Sequence, residues 1–322
     1  MYHFSTFFDK NYLVRGIALY RSLRRHCHDF RLHVLCLDTE THEALSRLSF
    51  PEMDLIPLSR LEEMDPELPS VKPQRSAAEY YWTLSPAFNL FLLGYLPNGD
   101  VLTYLDADLY FFSSPEPFCE ALAGGSILMV RHNYGPDRAW AARERGIYNA
   151  GQFAVRNDPN GIECLAWWRE RCLEWCHRTF DGHRFASQMY LDEWPQRFEG
   201  VVVLEHPGCG VAPWNLTRYR MRWSRGRVTV DGQPLVFFHF HGFRMRGKWV
   251  FEPVGPGYKA VAPSVRWRVC APYIRELKRA VRDLDRVVPD LGGLTCTRIG
   301  RRDLLRKALA GRLMIALGGV VL

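Results

Sequence analysis

Two short segments hold most of the residues able to do chemistry. In Thr103–Pro115 (TYLDADLYFFSSP) two carboxylates, Asp106 and Asp108, stand two positions apart directly after an apolar run. At the end of a buried strand both can turn toward the open edge of a sheet, where ligands bind in open α/β folds. Two acids this close repel, so one resists ionisation unless a cation lies between them. Oxygen ligands suit Mg2+ or Mn2+, and substrate phosphates normally complete such a site. An isolated Asp-x-Asp is also common in solvated turns; this one follows the strongest strand signal in the chain. The second segment, Val236–Trp249 (VFFHFHGFRMRGKW), ends a buried run in His239 and His241, which strand alternation puts on one side. A neutral imidazole there would complete a site with two carboxylates. Gly242 permits close approach of backbone to a phosphate, and Arg244, Arg246 and Lys248 follow with charge to neutralise a diphosphate. Taken singly, either histidine reads as a satisfied, half-buried side chain; the basic loop after them favours function.

These segments need a scaffold. Tyr2–Phe8 reads as a strand. Asn11–His26 reads as a helix, with Leu13, Ile17, Tyr20 and Leu23 at helical spacing. Arg31–Leu37 is a second buried strand, Thr41–Leu48 a helix and Asp54–Leu58 a weak third strand. This alternation opens a doubly wound α/β sheet, mixed but mostly parallel. Met64–Arg75, polar and proline-containing, reads as a loop. Ala77–Leu96 is a long helix, kinked near Pro86, and Asp100–Leu105 is the strand that delivers Asp106. Further strands are expected at Ser126–Arg131, Gln152–Arg156, Val201–Leu204 and Leu235–Phe240, and helices at Gly161–Thr179 and Phe185–Trp194. From Pro272 the pattern is helical to the end, broken near Pro289–Gly293. The expected division is a domain of residues 1–270 and a basic helical C-terminal extension of residues 271–322.

The net charge of +7 favours acidic partners. Much of it lies between Pro272 and Lys307. Arg298, Arg301, Arg302, Arg306 and Lys307 precede an apolar end, Leu313–Leu322, that is too short to span a bilayer. That composition suits a segment lying on an anionic membrane; it suits equally a helix that docks its apolar end on the domain. Nine cysteines occur without a CxxC pair. Cys172, Cys176 and His177 lack further ligands at metal-site spacing, so free thiols are expected. The start of the chain has no basic-then-apolar leader pattern. The expected location is the reducing cytoplasm, at the inner face of the membrane if the tail binds lipid. No nucleic-acid partner is expected.

Five segments, in order, resemble the GT-A fold nucleotide-sugar transferases, and most of all the retaining glycosyltransferase family eight, which includes glycogenin and the bacterial lipopolysaccharide galactosyltransferases. They are HFSTFFDKNYLVRGIALYRSL from His3, YLDADLYFFSSP from Tyr104, YNAGQFAVRND from Tyr148, FASQMYLDEWPQRF from Phe185 and HFHG from His239. They span roughly residues 2 to 250, and their order weighs more than any single motif. The resemblance implies a GT-A sheet and metal-dependent transfer of a hexose from a UDP-sugar to a saccharide or lipid-linked acceptor, with retention. It implies that Asp106, Asp108 and His239 hold Mn2+ or Mg2+. Thr6, Phe7, Asp9 and Tyr12 would face the uridine, Asn149 and Gly151 the donor sugar, and Gly242 and Lys248 the phosphates. Gln188 and the metal ligand Asp108 would be the catalytic residues, with Gln188 on the anomeric face away from the leaving group.

The chain departs from the family pattern twice. Ser187 stands where the family has Asp, a sugar or acceptor contact, and Met245 stands where it has Lys. Arg244, Arg246 or Lys248 is expected to replace that lysine. Trp214 and Asn215 fall where acceptor-side residues sit, though Trp214 reads equally as core. Two other classes fit parts of the pattern: a nucleotide-sugar binder without turnover, favoured by Ser187, and a phosphate-ester hydrolase with Asp106 as nucleophile. Against the hydrolase, Leu109–Phe112 is unusually apolar and lacks the small hydroxyl residue such enzymes place after the nucleophile.

Overall fold

The computed structural model describes residues 1–289, 291, 300–317, 320 and 321. Arg298, and Asp290, Gly292 and Gly293 of the expected break, lie outside the described residues. The first half follows the expected alternation: β1 (Tyr2–Phe8), α1 (Leu13–His26), β2 (Phe30–Cys36), α2 (Thr39–Leu48) and β3 (Met53–Pro57). α2 begins where the Asp38 carboxylate accepts the Thr41 amide at 2.8 Å. The expected loop instead carries two short helices, α3 (Leu58–Met64) and α4 (Glu67–Val71). Leu61 and Leu68 anchor them in the core, and tertiary burial overrides the polar local sequence. α5 (Ala77–Leu93) opens with a reciprocal Ser76–Glu79 capping box and contains Pro86. β4 (Val101–Leu105) and β5 (Leu109–Phe111) flank the Asp-Ala-Asp turn.

Next come α6 (Glu116–Cys119), β6 (Ile127–Arg131), α7 (Ala141–Arg145), β7 (Tyr148–Arg156) and α8 (Pro159–Glu174). β7 starts four residues earlier than expected, so Asn149 and Gly151 lie within a strand. The helix expected at Phe185–Trp194 is a 3-10 turn, Met189–Glu193, continued by α9 (Trp194–Arg197). β8 (Val201–Leu204) precedes a small antiparallel sheet of β9 (Met221–Ser224), β10 (Arg227–Val230) and β11 (Gln233–Pro234). β12 (Phe237–His239), β13 (Arg244–Met245), β14 (Val250–Glu252), α10 (Pro263–Val265), α11 (Ala271–Val287), α12 (Arg301–Leu309), β15 (Met314–Leu317) and β16 (Val320–Val321) complete the order.

The main sheet has seven strands in the order β3-β2-β1-β4-β7-β6-β8. It is parallel except where β7 pairs antiparallel with β4 and β6. Each face buries a core by strand alternation. Phe4, Leu32, Val34 and Leu128 pack with α1 and α11 on one side; Leu102, Tyr104, Met129 and Phe153 pack with α5 and α8 on the other. The C-terminal tail is helical in α11 and α12, but its apolar end is strand rather than helix. β15 pairs antiparallel with β14, matching Val250 with Ile315 and Phe251 with Met314. Met314 and Ala316 are buried while Ile315 and Leu317 face out, a period of two that only a strand satisfies.

Candidate metal and donor site

β4 delivers Asp106 to the carboxyl edge of the sheet, next to its neighbour β7. The Asp106 amide donates to the Gly151 carbonyl at 2.8 Å, and the Tyr104 hydroxyl donates to Asp106 Oδ1 at 2.8 Å. Tyr104 is itself held between Phe7 and Phe153. Two residues on, β5 pairs antiparallel with β12, setting Leu109 opposite His239. The Phe240 amide donates to the Asp108 carbonyl at 2.9 Å. This pairing puts His239 Nε2 3.0 Å from Asp108 Oδ1 and 3.7 Å from Asp106 Oδ2. One ligand atom from each of the three residues lies within 4.8 Å of the others.

The three groups titrate apart. Burial in the cleft raises Asp106, and Asp108 beside it adds to the shift. Burial acts against the Asp108 charge too, but His239, then His241 and Arg15, outweigh it and hold that carboxyl at about 2. His239 is opposed by burial and raised by both carboxylates. A raised acid beside one that stays charged is the behaviour of two carboxylates that share a site, and a cation between them would ease their repulsion. A Cβ on Gly151 would lie 2.5 Å from Asp106 Oδ2 and 2.9 Å from His239 Cε1, so only glycine fits. Two carboxylates and one imidazole suit Mn2+ or Mg2+, and the residues present therefore fit such an ion. On its other side His239 packs against the edge of Trp214, ring centres 5.1 Å apart.

The residues expected on the donor side lie along the same edge. Asn149 Oδ1 accepts the Gly151 amide at 2.8 Å. Thr6 lies within β1, its hydroxyl buried and without a hydrogen-bond partner among the described residues. Asp9 accepts the amides of Asn11 and Tyr12 at 3.0 and 3.3 Å, a turn that leaves Tyr12 43% exposed. Gly242 takes φ +72°, which favours glycine, and turns the chain after β12.

No family model matches the chain. Two proteins of Bacillus subtilis (strain 168) do. The uncharacterized protein YfnD is 31% identical over 291 residues, spanning 90% of this chain and 93% of YfnD. The uncharacterized protein YfnF is 33% identical over 249 residues, 75% of this chain and 82% of YfnF. This chain belongs to the YfnD and YfnF family. Among solved structures, the galactosyltransferase LgtC in complex with donor and acceptor sugar analogs covers 93% of this chain and 98% of its own, with a TM-score of 0.52 at 15% identity. That likeness is one of fold: this chain has the GT-A arrangement that the sequence resemblance implies.

Within this family member, several expected site residues lie apart from the triad. Gln188 Nε2 donates to the Arg145 carbonyl at 2.6 Å, and the buried Ser187 carbonyl accepts from Trp168 Nε1 at 2.8 Å. Both follow Ala186, which takes φ +50°. Asp192, just beyond, accepts the Ile147 and Tyr148 amides, so this segment braces the start of β7 ahead of Asn149. Lys248 is exposed in the turn between β13 and β14. Arg246 does not serve as an open phosphate ligand: it pairs with the fully buried Glu252 at 2.6 Å. Met245 points into the core. Trp214 and Asn215 form a wall behind the histidines. Asn215 accepts the Ala212 amide and donates to the His132 and Gly210 carbonyls, and Trp214 donates to the His132 carbonyl. Residues missed from sequence are Tyr104, Arg15, His132 and Asp192. Only Tyr104 left a signal, since i and i+2 on a strand share a face with Asp106.

Proposed function

We propose that this chain is a metal-dependent glycosyltransferase that moves a hexose from a UDP-sugar to a saccharide or lipid-linked acceptor, with retention. The observation that carries the proposal is the Asp106, Asp108 and His239 cluster opposite Gly151 at the carboxyl edge of a GT-A sheet. The chemical problem is a sugar that departs with partial positive charge from a diphosphate gaining negative charge, and stabilising that charge does most to lower the barrier. A divalent cation held by the three residues supplies Lewis-acid stabilisation of the leaving diphosphate. Tyr104 orients Asp106, and Asp108 stays ionised across the physiological range. Asn149 and Gly151 lie along the donor sugar, with Thr6, Phe7, Asp9 and Tyr12 around the uridine. Gln188 is a poor nucleophile, so we assign same-face attack, in which the leaving phosphate oxygen takes the acceptor's proton. Ser187 then shapes the preference for the sugar.

A lipid-linked acceptor at the inner face of the membrane is supported by the surface of α11. Arg275, Arg279, Arg282 and Arg286 are exposed on it at spacings of four, three and four, which is a single helical face. Trp249, Ile315 and Leu317 are exposed nearby, and Lys278 joins the two regions, lying 4.3 Å from the Trp249 ring centre and donating to the Ala316 carbonyl. A basic face beside apolar side chains suits an anionic lipid surface.

A panel of nucleotide-sugars with and without Mn2+ tests the function. Metal-dependent release of UDP with a retained anomeric product is expected. A rise in melting temperature without turnover would make the protein a binder, and cleavage of phosphate esters with no response to UDP-sugars would make it a hydrolase.

A further inference from the structure

Arg15 sits in the first turn of α1 and is only 8% exposed. Its guanidinium donates to the Asn11 carbonyl at 2.9 Å and to the Phe243 carbonyl at 3.1 Å, and lies 4.4 Å from the centre of the Tyr12 ring. Among the described residues, no carboxylate comes within ion-pair distance of it. Carbonyl hydrogen bonds solvate a guanidinium without neutralising it, and a buried charge without a counter-ion is costly. Its place in the helix adds to that cost. The first turn of a helix favours anions, and α1 has no acidic residue there. A cation retained under these conditions is explained if a ligand brings the negative charge.

The position fits. Arg15 lies against the Tyr12 ring, just after the turn that Asp9 makes at the carboxyl end of β1, on the same sheet edge where the parallel neighbour β4 delivers Asp106. Its Phe243 contact joins it to the turn made by Gly242. The loop after Gly242 has less charge to offer than its sequence suggests, because Arg246 is paired with Glu252, which also holds Lys307 at 3.0 Å. Arg138 lies against the Tyr258 ring, and Arg145 against the rings of Trp140 and Phe185.

We propose that Arg15 is the cation that receives the diphosphate of a nucleoside diphosphate donor, through charge-assisted hydrogen bonds from its remaining N–H groups. This rests on the reading of the chain as a nucleotide-sugar transferase. Arg15 touches the phosphates from α1, opposite the metal ligands, and its charge is neutralised only when the donor is bound.

Calorimetry on the full chain tests this, with UDP and inorganic pyrophosphate titrated in the presence of Mn2+ and Mn2+ titrated alone. Arg15→Met is expected to weaken UDP and pyrophosphate about 10- to 100-fold, the range for loss of a charged hydrogen-bonding group. Mn2+ alone should bind undiminished, and the melting temperature should not fall, because an uncompensated buried charge has been removed. Arg15→Lys should recover part of the affinity. Unchanged UDP affinity in Arg15→Met would overturn the proposal. So would equal losses of UDP and Mn2+ affinity together with a lower melting temperature, the signature of a structural role. If the wild type binds pyrophosphate through Arg15 but shows no preference for UDP, the anion site stands and the nucleotide-sugar reading falls. If it binds neither, both fall.

Discussion

Gly151 decides how much room the candidate metal ligands have. A methyl group there would collide with Asp106 and His239 together. Overpacking of this kind costs about 1–3 kcal/mol of stability, so Gly151→Ala should lower the melting temperature modestly and, by displacing two of the candidate ligands, weaken Mn2+ about tenfold. Undiminished Mn2+ binding by that variant would place the ion elsewhere. The two histidines separate in the same measurement. Only His239 reaches the carboxylates. His241 lies beyond the end of β12 with its residue exposed, and desolvation by the surrounding protein, then His239, pushes it down to about 4. His239→Ala should therefore weaken Mn2+ more than His241→Ala. At this scale the Asp106, Asp108 and His239 cluster is legible in the sequence because its chemistry is local: two acids after a strand, a histidine shortly before a glycine. Arg15 is not legible there. In sequence it is one basic residue of a helix rich in them, and only the fold shows that it is buried without a carboxylate.

At the scale of elements, the site depends on β5 meeting β12. Leu109–Phe111 and Phe237–His239 pair across more than a hundred residues, and no local period announces such a partner. In sequence LYFF is only oddly apolar, whereas the strands and helices of the first half declare themselves by alternation and helical spacing. The opposite edge of the sheet carries a different chemistry. His3 on β1 and His33 on β2 face each other at 3.3 Å, with Asp100 and Asp54 on their outer sides. Burial lowers His3 and pushes His33 down to about 4, and it pushes His132 near the site down to about 3. The unfolded chain protonates these groups near the ordinary value of about 6.5. Between that pH and the folded values the unfolded state binds more protons. Stability from this source is therefore complete above about pH 6.5 and is lost as pH falls, by up to about 1.4 kcal/mol per pH unit for each histidine. Urea midpoints at pH 7.5 and 5 should show the loss, and His33→Gln should reduce the difference. An identical pH slope in that variant would exclude the His3–His33 pair as its source.

For the whole molecule, the C-terminal tail belongs to the packed structure as well as to the surface. Lys307 reaches the buried Glu252, Arg266 donates to the Gly311 carbonyl, and β15 extends the β13–β14 hairpin. Removing residues 301–322 breaks part of a buried ion cluster, which costs about 3–5 kcal/mol. The truncated chain should melt roughly 5–15 °C lower, and an unchanged melting point would contradict the packing described. Among the described residues no helix is long and apolar enough to cross a membrane. The lipid reading therefore rests on the α11 stripe, and charge reversal at Arg275, Arg279 and Arg282 should release the protein from anionic vesicles without lowering its melting temperature. Composition alone puts lipid-facing charge in the tail itself; of the tail's described residues Lys307 is held by the buried Glu252, and the basic face proposed for lipid lies on α11. Everything proposed for the donor depends on Asp106 and Asp108 holding a metal that binds its diphosphate. Calorimetric titration of UDP into wild type, Asp106→Ala and Asp108→Ala, each with and without Mn2+, measures this directly. Wild type is expected to bind UDP only with the metal, and both variants to stay folded and lose the metal-dependent binding. UDP binding that is unchanged in both variants, with the same dependence on Mn2+, would contradict it.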